Sequence, residues 1–298
     1  MLRIISFLLF LCILFEPLRS YATSKCPPEE DKSDSPPKIG NYVLSSSQQP
    51  GPLISFGQNI LDEGKTKIFL FSDVLGGSQM HFIDAVPYGV YGITDDFCAL
   101  LSIPVAVNYK QNKSHSSGLS DMFLQLEYAF YNQDTSQFGD RATLVANVAF
   151  PTGSATKQPP TGNGSSSFFL GSTFNRTYVN WFFFTSPGVL LTTSHKGQKV
   201  GNEYLYQVGF GRNFYTIDSE WIFAWLIETN GLYTEKTRFK GHTDPNSGGN
   251  LVVVTPSLWI SSEQVTIQFG IGLPVAQRLF GNQTKNKYLL ASNLSWLF

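Results

Sequence analysis

Read backwards from its last residue, the chain alternates. In "KYLLASNLSWLF" one set of every-second positions is Phe298, Trp296, Leu294, Ser292, Leu290 and Tyr288; the other is Leu297, Ser295, Asn293, Ala291 and Leu289. Only the first set is nearly all apolar, and a period of two belongs to a strand with two unlike faces. The same pattern recurs upstream. "SDMFLQLEYAFY" sets Met122, Leu124, Leu126, Tyr128 and Phe130 against Phe123, Gln125, Glu127, Ala129 and Tyr131. "EQVTIQFGIGLP" sets Val265, Ile267, Phe269, Ile271 and Leu273 against Thr266, Gln268, Gly270 and Gly272. "NEYLYQVGFGRNF" and "SEWIFAWLIETN" repeat it, with Gln207 and Glu228 on their less apolar sides. A soluble sandwich pairs an apolar inside with a charged outside. Here the second face is Gly, Ala, Gln and isolated Glu, which suits lipid outside and a polar lumen inside.

Twelve strands are predicted, at 66–75, 80–92, 97–110, 119–131, 141–152, 166–177, 179–193, 203–215, 219–231, 249–260, 263–274 and 287–298. Each has the roughly 9 to 11 residues that cross a tilted bilayer path. The connections sort by length. "ITDD", "RTY", "TID" and "SS" are short; "QNKSHSSG", "SATKQPPTGNGSS", "SHKGQKVGN", "YTEKTRFKGHTDPNSGG" and "AQRLFGNQTKNK" are long. A short first hairpin at "GGSQ" and a medium turn at "NQDTSQFGD" depart from strict alternation. An all-β, antiparallel, up-and-down transmembrane barrel follows, with both termini on the periplasmic side.

The start of the chain changes the picture only by adding an address. "MLRIISFLLFLCILFEPLRSYA" has Arg3, an apolar run from Ile4 to Phe15 and a small residue at Ala22, the features of a secretory signal peptide over residues 1–22. The run is short for a membrane helix, which needs about 18 apolar residues. Residues 23–65 are rich in Pro, Ser and charge, without sustained period, and read as an irregular periplasmic arm; 66–298 is the barrel. Cleavage removes Cys12 and leaves Cys26 and Cys98. The topology puts both on the periplasmic side, an oxidising compartment, so a disulfide between them stands beside two unpaired thiols as an alternative.

Composition agrees. Only 14% of residues are charged, against about 25% in ordinary soluble domains. The formal charge of -1 supplies no basic field for nucleic acid. Tyr91, Tyr178, Trp181, Tyr215, Trp221, Trp259 and Trp296 collect at one set of strand ends, and Tyr109, Tyr233 and Tyr288 at the other, as interface girdles do. Pro104, Pro187 and Pro256 fall inside predicted strands, where each removes an amide donor, and are expected at bulges or rims.

By parity the lumen is lined by Gln125, Glu127, Asn147, Glu203, Gln207, Glu228, Asn230, Gln268 and Asn293. These side chains either line a pore or plug a narrow barrel by hydrogen bonding; twelve strands lie between filled barrels and open porins. The four histidines, His81, His115, His195 and His242, fall at loops, where a metal or acid–base site is one reading and solvated loop residues the other. There is no GxSxG elbow, HExxH helix, phosphate-binding loop or paired-Cys motif, and no cofactor, metal or catalytic residue is expected.

"VYGITDDFCALLSIPVAVNY", "GLSDMFLQLEYAFYN", "ATLVANVAFPTGS", "VTPSLWI", "IQFGIGLPV" and the final "NLSWLF" together resemble the outer-membrane family associated with phenol meta-pathway degradation operons, over about residues 80–298. The resemblance implies a barrel in the bacterial outer membrane and transport of small, often apolar, solutes. The terminal Trp296 and Phe298 resemble the strand signal read by the barrel assembly machinery. Partners expected are therefore outer-membrane lipid, that machinery and small solutes. Three function classes stay open: a channel or transporter, an outer-membrane enzyme of hydrolase or acyltransferase type, and a structural or adhesive surface barrel.

Overall fold

The computed structural model describes residues 49–217 and 220–298. Twelve antiparallel strands span the wall: β1 (Thr66–Gly77), β2 (Met80–Thr94), β3 (Phe97–Ser102 continued by Val105–Gln111), β4 (Ser114–Leu119 continued by Met122–Asp134), β5 (Phe138–Phe150), β6 (Ser167–Tyr178), β7 (Trp181–Thr192), β8 (Glu203–Ile217), β9 (Trp221–Thr234), β10 (Gly249–Ser261), β11 (Val265–Leu279) and β12 (Asn286–Leu297). Each pairs with its chain neighbours, and β1 pairs with both β2 and β12, so the sheet closes on itself. At the seam the Phe298 amide donates to the Thr66 carbonyl at 2.8 Å and the Thr66 amide to the Phe298 carbonyl at 3.2 Å. Closure pairs every wall strand on both sides along its lower part, the condition for a sheet to stand in hydrocarbon; among the described wall strands only the loop-end piece Ser114–Leu119 has a single ladder partner, Val105–Gln111.

The expected alternation is the wall's two faces. Leu124, Leu126, Tyr128 and Phe130 are 39 to 57% exposed, while Gln125 and Glu127 between them are buried. Ile267, Phe269, Ile271 and Leu273 point out around buried Gln268 in the same way. An apolar exterior over a polar interior is the reverse of a soluble protein. The end that carries Thr66 and Phe298 has only short turns among the described residues; the long connections lie at the other, the loop end, together with the tight turns at 78–79 and 112–113.

Four expectations are corrected. "QNKSHSSG" is not a long loop: Val105–Gln111 and Ser114–Leu119 pair through it, and Asn112 takes the turn at φ 56°. Pro187 and Pro256 sit at no bulge. Gly171 faces Gly188 and Phe174 faces Thr185 on either side of Pro187, so the register runs through, and likewise from Val254↔Leu273 to Ser257↔Gly270 past Pro256. Each proline removes at most one amide donor within a ladder that its neighbours already hold in place. Pro104, as expected, stands at an irregularity: it interrupts β3, and the Ser120 amide donates to its carbonyl at 2.9 Å where β4 is interrupted too. Trp259 and Tyr109 are not girdle residues. Trp259 is 6% exposed because it faces inward opposite Ala224, whose methyl leaves room for the indole. Tyr109 turns inward after a register shift between Ile83 and Asp84.

The fourth correction concerns the arm. Its residues 23–48 lie outside the described residues, but 51–61 run through the barrel interior and 62–65 turn into β1 at the short-turn end. Leu53, Ile60 and Leu61 are buried there, and Ile60 and Leu61 join a cluster with Phe69, Val90, Cys98, Leu100 and Ala129. A segment without regular structure needs partners for its amides, and the polar inner face of the wall supplies them.

Candidate functional site

Two glutamates on opposite walls hold the internal segment. Glu228 on β9 is fully buried. Its Oε1 accepts the Leu53 amide at 2.6 Å, and its Oε2 accepts the Ile54 and Ser55 amides at 3.1 and 3.0 Å and the Ser55 hydroxyl at 2.9 Å. Glu127 on β4, also fully buried, accepts the Asn59 amide at 3.0 Å, the Asn59 side-chain amide at 2.6 Å and that of Gln125 at 2.7 Å. β4 and β9 are five places apart around twelve strands, so residues 53–59 form a strut from one side of the lumen to the other. Hydrogen bonds to a carboxylate are the strong kind, about 1.5 to 3 kcal/mol each.

The amide side chains extend this grip. Gln207 Oε1 accepts the Phe56 amide at 3.2 Å, the Asn230 side-chain amide meets the Ser55 hydroxyl oxygen at 2.7 Å, and Gln268 Nε2 donates to the Gly51 carbonyl at 3.3 Å. Asn147 Nδ2 donates to Gln125 Oε1 at 3.3 Å, so it supports the Glu127 anchor from one remove. Phe56 packs edge-on against Phe169 with centroids 4.6 Å apart, above Gly171 and Gly188. A Cβ at Gly171 would lie 2.6 Å from the Phe56 ring, so that glycine makes room for the strut. Glu203 and Asn293 also face inward, Glu203 at the loop-end start of β8 and Asn293 buried on β12. Of the nine residues, Glu127, Gln207, Glu228, Asn230 and Gln268 touch the segment directly.

Below the strut, towards the short turns, the interior beside β7 to β10 is apolar: Phe182, Phe184, Ala224, Leu226 and Trp259 form one buried cluster. Towards the loop end lies a cavity of about 350 Å³ lined by Asp73, Asp84, Val86, Pro104, Tyr109, Ser120, Asp121 and residues 160–163. Asp73 and Asp84 are directly paired across β1 and β2, and the Tyr109 hydroxyl donates to Asp84 Oδ1 at 2.6 Å. Asp121 ties down the 151–166 loop, accepting the Gly153 amide at 2.9 Å and the Asn163 amide at 2.7 Å. Asp73 and Asp84 share the inner face of β1 and β2, but this hairpin shows its alternation too weakly for the sequence alone to mark them.

Cys98 is buried, with its thiol 3.4 Å from the Asn59 carbonyl; Cys26 lies outside the described residues. The histidines do not gather, and among the described residues no three His, Cys, Asp or Glu side chains come together as metal ligands would.

The fold is similar to that in the crystal structure of an outer membrane channel from Pseudomonas putida F1, with TM-score 0.66 and 12% identity over 84% of this chain and 99% of that one. Weaker likenesses are to the NanC porin (TM-score 0.48, 11% identity, 77% and 98% of the two chains) and to the CymD monoaromatic hydrocarbon channel (TM-score 0.40, 10% identity, 87% and 97%). No family model and no curated protein sequence matches the chain. At 12% identity the first likeness establishes a shared outer-membrane barrel fold over nearly the whole of both wall structures.

Proposed function

We propose that this chain is a channel of the bacterial outer membrane for small apolar or aromatic solutes, closed at rest by its own residues 53–59. The observation that carries the reading is a closed wall, apolar outside and polar inside, crossed by a strut that two buried carboxylates hold; a solute-sized cavity lies towards the loop end. A barrel with no transport task has no need of a removable cross-piece; side chains alone fill small barrels. The apolar cluster beyond the strut supports an apolar solute, and the sequence resemblance to the phenol meta-pathway family supports an aromatic one. Residues 1–22 act as the export signal, and the assembly machinery inserts the barrel through Trp296 and Phe298.

Planar-bilayer conductance of the refolded protein, with heat-shifted gel mobility to confirm the folded barrel, tests this. The intact chain is expected to open rarely, and the Glu228→Ala chain to give frequent discrete openings. A folded Glu228→Ala barrel that stays silent, and that admits no aromatic solute into liposomes, would overturn the channel.

A further inference from the structure

The loop end is unevenly charged, and the surplus sits on the outside of the wall. Tyr204 and Tyr206 on β8 and Tyr233 on β9 end the apolar belt there, each about 40% exposed. Asn250 is paired with both Tyr233 and Arg278, which puts the exposed Arg278 on the same outward face, and the Tyr206 hydroxyl donates to Asn250 at 2.9 Å. Lys236 Nζ lies 5.0 Å from the centre of the Phe280 ring, which in turn packs against Tyr233. Just beyond, a three-stranded flap of Gln198–Lys199, Arg238–Phe239 and His242–Thr243 carries Lys199, Arg238 and, in its turns, Lys196 and Lys240. Phe239 is 53% exposed under Lys240.

None of these six cations is within salt-bridge distance of a carboxylate among the described residues; Arg176 and Asp140, at the opposite end, do form an ion pair. The carboxylates in the same loops have neutral partners. Glu235 accepts from Asn202 and Tyr204, and Asp244 accepts the Asn246 amide. Cations standing immediately above a tyrosine girdle are at the depth of lipid headgroups, and each is worth about 1 kcal/mol against an anionic surface. Arg278 and Lys236 lie on the outward face, away from the cavity, so a solute bound for the lumen would not pass over them.

We infer that the face formed by β8 to β11 and the flap binds a phosphate-bearing glycolipid of the leaflet on the loop side, with Arg278 and Lys236 on one headgroup phosphate and the flap cations around a neighbouring one. Tyr204, Tyr206, Tyr233 and Phe280 supply the surface for its acyl chains. The inference rests on the outer-membrane placement proposed above, but not on transport.

The test uses full-length mature protein in neutral detergent, titrated with a bis-phosphorylated lipid A and followed by native mass spectrometry and by the thermal midpoint. Lipid A adducts are expected, and the combined variant Lys236→Gln, Arg238→Gln, Lys240→Gln, Arg278→Gln is expected to weaken binding by at least tenfold. Equal binding of dephosphorylated lipid A, or an unchanged variant, would overturn the inference. Full competition by millimolar inorganic phosphate would reassign the face to free anions and overturn the lipid. Conductance of the same variant separates the two readings: a conducting barrel without lipid binding sinks this one alone, and a lipid-binding barrel without conductance sinks the channel alone.

Discussion

Glu228 and Ser55 are joined twice, because the Ser55 amide and hydroxyl both donate to one carboxylate oxygen, at 3.0 and 2.9 Å. With the Leu53 and Ile54 amides on the same side chain, one glutamate holds three consecutive backbone donors. A carboxylate is the acceptor suited to this, since its two oxygens take several donors while carrying none of their own.

Replacing Glu228 by Ala should free the strut at one end. Three buried amides lose their acceptor, at about 1 to 3 kcal/mol each if no substitute is found. The segment is expected to leave the wall rather than stay unsatisfied, while the barrel, closed by its own ladder, stays folded. Single-channel recording should show openings at least several-fold more frequent than in the parent, with unchanged heat-shifted mobility. Loss of the folded band together with the gain of current would mean that Glu228 holds the barrel rather than the strut.

Cys98 reports on the other end. It is wholly buried beneath Asn59, so in the folded, reduced protein it should react with a maleimide at least tenfold more slowly than in the denatured protein. Glu127→Ala removes the anchor of Asn59 and should restore most of the labelling. Continued protection in that variant would mean that the wall, not the strut, covers the thiol.

The Cys26–Cys98 bridge and the two unpaired thiols, both open from the sequence, make opposite predictions. Denatured without reductant, a bridged protein shows fewer free thiols than after reduction. Recovery of both cysteines as free thiols without reductant would dispose of the bridge.

Gly171 is a packing constraint on the closure. An added Cβ would meet Phe56 at 2.6 Å and Phe169 at 2.8 Å, so Gly171→Val should overpack the site by about 1 to 3 kcal/mol. The expected result is a shift of Phe56, seen as raised conductance, with a lower urea midpoint in detergent. Wild-type conductance and midpoint would show that the strut does not press on the wall there.

Phe298 closes the seam to Thr66 and is 64% exposed. Deleting it removes both terminal backbone bonds and the aromatic end of the last strand. Assembled barrel in the outer-membrane fraction should fall severalfold, whereas refolding in detergent from denaturant should be little changed. An equal loss in both would assign Phe298 to stability and not to assembly.

Much of this protein was legible in its residues taken in order. The period of two, the inverted polarity of the two faces and the sorting of connections by length determined a closed barrel of twelve strands, because a membrane wall allows no other use for that pattern. Parity determined which of Gln125, Glu127, Gln207, Glu228 and Gln268 face inward, since one backbone period relates them all. What parity could not decide is whom they face. Residues 49–65 carry no period, and their partners lie up to 217 positions away, so only the tertiary structure showed the segment as a strut inside the barrel. Trp259 and Tyr109 were misplaced for the same reason: depth and side depend on Ala224 across the ladder and on a register shift in β2, and neither is visible in a strand read alone. Local alternation determines the wall, and contacts between distant strands decide what the wall contains.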